Sequence, residues 1–254
     1  MFENKLKNEV ESMSNTFERL QKVIAHSGVT SRRKAEQLIL DGKVKVNNEI
    51  VTTLGTKVRA EDRIEVEGVP LEKESPVYYI LNKPRGVISS VDDNKGRKTV
   101  LDFFPEVEER IYPVGRLDYD STGIILMTND GEFANLLMHP KHEIEKVYVA
   151  KLKGIPSKQE LAEIRKGIKV DKDILKAVNY TILSSDREKN SMQLELTLHE
   201  GKYRHVRRMM ESLGYPVQKL KRERYGLLTL SGLQSGEVRA LTPKEVKQMM
   251  NQAK

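Results

Sequence analysis

Tyr112-Pro-Val-Gly-Arg-Leu-Asp-Tyr-Asp-Ser-Thr-Gly-Ile-Ile-Leu-Met-Thr-Asn-Asp-Gly131 joins a polar turn to an uninterrupted apolar run. Residues 115–123 are rich in glycine, hydroxyl and carboxylate side chains, which favour turns. Residues 124–127 are continuously apolar, which predicts a buried strand. The junction sets Asp118 on a loop at a strand's edge, where a rigid scaffold can present a reactive group. Asp130 precedes a helical pattern at 132–138 and reads as its N-cap. From pattern alone, each of Asp118, Asp120 and Asp130 is more often an ordinary turn or cap residue than a reactive one.

Outward from this stretch, residues 77–81 form a second continuous apolar strand, and Asn82-Lys83-Pro84-Arg85-Gly86 must then turn. Residues 147–152 and 192–198 alternate as strands do, while 205–213 and 243–250 have helical spacing. The mixture lacks the regular rhythm of a parallel sheet. It predicts an α+β fold: a mixed, mainly antiparallel sheet with flanking helices over residues 77–254. Residues 67–76 combine glycine, two prolines and charges, and read as a linker. Ahead of it, 18–29 and 32–41 predict two short helices, the second capped by Thr30-Ser31. Short strands follow at 44–46, 50–51, 58 and 64–66, with a turn at Asn47-Asn48. Residues 18–66 are therefore expected to be a small α/β domain, and 1–17 a polar extension.

Composition sets the outer limits. A chain of 254 residues, 38% hydrophobic, can bury one large core or two modest ones. With no cysteine, disulfides and thiolate metal sites are excluded. The first seventeen residues lack the apolar stretch of a leader, and no run is long enough to span a bilayer. The expected address is the cytoplasm, with no membrane partner. Net charge is +7, and its distribution is uneven. Residues 19–47 hold seven basic side chains, Arg19, Lys22, Arg32, Arg33, Lys34, Lys43 and Lys45, against two acidic ones. Residues 202–224 hold eight against two. Two such clusters point to phosphate contact, and for Arg32, Arg33 and Lys34 the clustering favours it over a merely solvated helix face. Aromatics are only 6% and tryptophan is absent, which argues against a broad base-stacking platform.

Rival chemistries find no support. His26, His139, His142, His199 and His205 have no metal-ligand spacing, and His139-Pro-Lys-His142 reads as a loop. No nucleophile elbow, phosphate loop or dinucleotide fingerprint occurs. Chemistry, if the chain performs any, must fall to carboxylate, tyrosine and arginine, without metal or cofactor.

Gly115-Arg-Leu-Asp118 with Thr122-Gly123 and Thr128-Asn-Asp-Gly131 resembles the active-site motif of the RsuA-like family of ribosomal RNA pseudouridine synthases. Lys83-Pro84-Arg85-Gly86 resembles the family's K-P-x-G turn, and Lys146-Val-Tyr148-Val its tyrosine strand. Gly201-Lys-Tyr-Arg-His-Val-Arg207-Arg208-Met-Met resembles its arginine-bearing helix. Tyr203 and His205 depart from it, standing where the family has a smaller polar residue and glutamine. Residues 18–47 resemble the S-four-type RNA-binding domain. The likeness spans roughly 18–248 and is greatest to the RluB-like group, which acts on large-subunit ribosomal RNA.

The resemblance implies an isomerase that converts a flipped-out uridine to pseudouridine, with Asp118 as its essential residue. Whether Asp118 attacks the anomeric carbon or takes a sugar proton stays open. It implies that Arg207 pairs with Asp118 and aims it, and that Tyr148 lies against the uracil and helps to move the ring proton. Arg116, Arg204 and Arg208 would hold phosphates, and Lys83 and Arg85 would also contact RNA. The expected partner is ribosomal RNA or a ribosome-assembly intermediate, bound by a monomer. An RNA-binding assembly factor would need Asp118, Tyr148 or Arg207 to be missing, and all three are present. A DNA-binding regulator would need a recognition-helix pair, which neither basic segment forms.

Overall fold

The computed structural model describes residues 17–72 and 74–253. The expected extension at 1–17 lies outside the described residues except for Phe17. The chain divides into two compact units, residues 1–76 and 77–254.

In the first unit, β1 (Glu18–Arg19) pairs antiparallel with β4 (Lys57–Val58), so the helix expected at 18–29 starts later, as α1 (Leu20–His26). Helix α2 (Arg32–Leu40) is capped by Ser31, whose hydroxyl accepts from the Lys34 amide. Both helices pack on a four-stranded antiparallel sheet in the order β3 (Glu49–Ile50), β2 (Val44–Val46), β5 (Ile64–Val66), β6 (Val69–Pro70). Leu20, Ile24, Ala35, Ile39, Val44 and Ile64 form its core. β6 lies inside the segment expected to be linker. The turn at Glu67-Gly68 folds residues 69–70 back onto β5, and Leu71 joins the core.

The second unit is built on one nine-stranded mixed sheet. Its main path runs β13 (Asn179–Asp186), β14 (Ser191–Leu198), β10 (Lys146–Lys153), β15 (Val217–Tyr225), β9 (Thr122–Thr128), β7 (Tyr78–Lys83), β17 (Val238–Ala240). β8 (Tyr112–Val114) adds to β9, and β16 (Leu228–Thr229) to β15. β9 and β15 pair in parallel, and the other pairings in this sheet are antiparallel.

Side chains alternate across a strand, so a continuous apolar run feeds two cores. Ile125 and Met127 face one, with α4 (Lys158–Lys166) and α5 (His205–Ser212) packed on it. Ile124 and Leu126 face the other, under α3 (Gly131–Met138) and α6 (Pro243–Gln252). Asp130 caps α3 as expected, accepting from the Glu132 and Phe133 amides. No helix among the described residues is long and apolar enough to cross a membrane.

Candidate active site

The loop between β8 and β9 carries Asp118 and is braced from two sides. The Ser89 hydroxyl both accepts from the Leu117 amide (3.1 Å) and donates to the Leu117 carbonyl (2.8 Å). The Gly86 amide donates to the Tyr119 carbonyl at 2.8 Å, so the Lys83–Gly86 turn clamps the aspartate loop. Gly123 brings β15 close. Its φ is +107°, and a Cβ there would stand 2.2 Å from the Arg222 carbonyl oxygen. Only glycine fits both conditions.

Asp118 is half-buried in a pocket with Ser121, Tyr148, Arg204 and His205 on its walls. Burial raises its pKa above the ordinary carboxylate value, opposed first by Arg204 and then by Arg207 and Arg116, while Asp120 reinforces the rise. The three guanidiniums thus offset part of the desolvation penalty on its charged form. Tyr148, 8% exposed, projects from β10 into the same pocket.

The arginines are arranged differently from the expectation. Arg207 ion-pairs with Asp120 at 3.1 Å, not with Asp118, and also donates to the Asp120 (3.2 Å) and Val217 (2.8 Å) carbonyls. Arg204 holds Asp120 from the other side at 3.3 Å. Two guanidiniums on one carboxylate fix the turn that carries Asp118, and their charge reaches Asp118 through space. Arg204 occupies the left-handed region (φ 46°) as the N-cap of α5, a strained position of the kind often found at working sites. Arg208, expected on a phosphate, ion-pairs with Asp171 and Asp173 beside the hairpin of β11 (Ile168–Val170) and β12 (Asp173–Leu175). It is a structural tie.

Lys83 also corrects the expectation of an RNA contact. It is fully buried and donates to the Pro84 and Val87 carbonyls, and burial pushes its pKa down to about 8. No phosphate reaches it without opening the core. Arg85 and Arg116 are exposed, and Arg116 lines the Asp118 pocket. In the first unit Arg19, Arg32, Arg33, Lys34 and Lys45 are exposed, while Lys43 pairs with Glu67 and Lys22 with Glu18. Among the described residues, no group of three or more His, Cys, Asp or Glu is placed to hold a metal ion.

Arg222 escaped the sequence reading. It is 2% exposed, donates from Nε to the Ile124 carbonyl (2.8 Å) and from Nη1 to the Tyr148 hydroxyl (3.3 Å), and leaves Nη2 without a partner. A guanidinium can only donate, so the Tyr148 oxygen is the acceptor and its own proton is free to turn elsewhere. The missed signal was Leu220 and Arg222 at alternate positions of one strand, a charge on the inward face.

Comparison with known proteins places this geometry. The RNA pseudouridylate synthase family model matches residues 77–212, and the S4 domain model matches 18–64. The chain is 57% identical to ribosomal large subunit pseudouridine synthase B of Bacillus subtilis, over 92% of this chain and 96% of that one. It is 35% identical to ribosomal small subunit pseudouridine synthase A of Salmonella typhimurium, over 90% and 98% of the two chains. A crystal structure of a pseudouridylate synthase superposes with TM-score 0.65 and 32% identity, over 91% of this chain and 99% of that one. The chain belongs to the RNA pseudouridine synthases, isomerases of uridine in RNA, and carries an S4 domain in front of its catalytic unit.

Proposed function

We propose that the protein isomerises one uridine of large-subunit ribosomal RNA, with Asp118 as the reacting carboxylate. The observation that carries this is Asp118 itself: half-buried, in one pocket with Tyr148, on a turn fastened by Arg204 and Arg207. The 57% identity to the Bacillus synthase supports the choice of large-subunit RNA. The reaction breaks the N1–C1′ bond, turns the base and forms a C5–C1′ bond, and the C5 proton ends on N1. Atoms balance without a second substrate. An ionised Asp118 either adds to C1′ or removes a sugar proton, and Tyr148 lies against the ring and helps the C5 proton leave. The uridine must leave its stack to reach a carboxylate held this far inside. Arg116, Arg204 and Arg85 take phosphates at the mouth, and the 18–66 domain adds affinity along the RNA. The enzyme works in the cytoplasm as a monomer, on ribosomal RNA or an assembling subunit.

Asp118→Asn tests the assignment. Turnover on a large-subunit ribosomal RNA transcript should vanish, while RNA affinity stays within about threefold, roughly 0.7 kcal/mol. Residual single-turnover activity above a few per cent would remove Asp118 from the chemistry.

A further inference from the structure

The chain has nine tyrosines, and seven of them are buried or half-buried. The two exposed ones are Tyr119, at 52%, and Tyr203, at 69%. Both stand on the wall of one open cleft of about 410 Å³ that also reaches Asp118. They come from loops far apart in sequence, one between β8 and β9 and the other ahead of α5. Single exposed aromatics are common on protein surfaces, but these two converge on one cleft.

Their backbones are fixed while their rings reach solvent. The Tyr119 carbonyl accepts from the Gly86 amide at 2.8 Å. The Tyr203 carbonyl accepts from Arg208 Nη1 at 3.2 Å, and Arg208 is itself held by Asp171 and Asp173. Neither ring packs on another aromatic ring among the described residues. A tyrosine has two side-chain torsions, so a ring on a pinned backbone loses little entropy on contact. Arg116, Lys202 and Arg204 line the same cleft. Flat aromatic faces among cations suit an unpaired nucleic-acid strand, with bases on the rings and phosphates on the charges.

We propose that Tyr119 and Tyr203 are stacking sites for unpaired nucleobases adjoining the target uridine, so that the cleft takes a single-stranded or splayed segment of RNA. The inference rests on the Asp118 site acting on RNA. A continuous duplex hides its base faces and offers these rings nothing to stack on.

The test compares two ten-nucleotide probes at low salt: an oligouridine, and the same backbone with its bases removed. Both variant sites are exposed, so folding is not at stake. Tyr203→Ala and Tyr119→Ala should each weaken oligouridine binding by about tenfold. The same variants should leave the abasic probe unchanged, and Tyr203→Phe should bind like the wild type. The slope of log affinity against log salt should also be unaltered, since no phosphate contact is lost. Equal losses on both probes, no loss on either, or a wild-type protein that does not distinguish the probes would overturn the proposal. Pseudouridine formation on a ribosomal RNA transcript is read separately. Tyrosine-dependent binding without isomerisation leaves the stacking intact and removes the catalytic reading; isomerisation with indifferent tyrosines does the reverse.

Discussion

His205 opens α5 on the wall of the Asp118 pocket, and burial drives its imidazole pKa down to about 4. Glu200 and the Lys176 carbonyl oppose the fall, but neither ring nitrogen has a partner in full hydrogen-bond geometry. The folded state therefore holds its proton less firmly than the unfolded chain, whose histidine titrates near 6.5. Above that value the group adds no pH dependence. As pH falls from about 6.5 towards 4, the unfolded chain gains the proton first, and stability is lost by up to roughly 3 kcal/mol. His205→Gln should flatten this decline, measured by urea unfolding at pH 7 and pH 4.5; parallel declines in both proteins would refute the burial argument. The place of Asp118 on a loop at a strand's edge was legible, because turn formers abut an apolar run; what singled it out from Asp120 and Asp130 was the resemblance to the family motif, not the pattern. Its surroundings were not. Arg204, Arg207 and Arg208 crowd within about one turn of helix, and only the fold decides which meets Asp120 and which meets the β11–β12 hairpin.

At the scale of elements, the site depends on β9 and β15 lying side by side, since β9 leads out of the Asp118 loop and β15 carries Arg222. Gly123 permits that approach. Gly123→Ala would combine a strained backbone with a clash against the Arg222 carbonyl, costing about 3 kcal/mol or more. In a catalytic unit of this size the Tm should drop by on the order of 10 °C, with activity lost as the strands part. Gly96→Ala is the control: its φ is also positive, at +66°, but nothing lies within 4 Å, so only the smaller backbone cost applies. Equal Tm changes in the two variants would mean that close packing at Gly123 is unimportant. The strands that were easy to read, β7, β9, β10 and β14, are those whose apolar runs or alternation reflect burial. β15 was hidden by its charged residues, because Lys219, Lys221 and Glu223 line an open cleft on the sheet. α4 was missed although its Ser157–Glu160 capping box lay in plain view, because only Leu161 and Ile164 turn inward.

For the whole molecule, the two units have separate cores, with Leu20, Ile24 and Ile39 in one and the sheet's two apolar faces in the other. Separate cores let each unit be stable alone, so a fragment beginning at Val77 should fold cooperatively. The charge distribution then separates their duties. Arg19, Arg32, Arg33, Lys34 and Lys45 are exposed on the first unit, whereas Arg207, Arg208 and Arg222 of the second basic segment are committed to Asp120, the β11–β12 hairpin and the β9 backbone. Affinity for the phosphate backbone should therefore lie largely with the first unit. Each phosphate it neutralises contributes close to one unit to the slope of log affinity against log salt. The Val77 fragment should show a slope flatter by about two to four units and a raised dissociation constant. Chemistry on a saturating short substrate should change little, because the groups around Asp118 all belong to the second unit. Salt titrations of RNA binding by the two proteins, with single-turnover rates at saturation, decide the matter. An unchanged slope would leave the phosphate contacts to the second unit alone, Arg85, Arg116 and Arg204 among them, and the first unit to a protein partner or to stability.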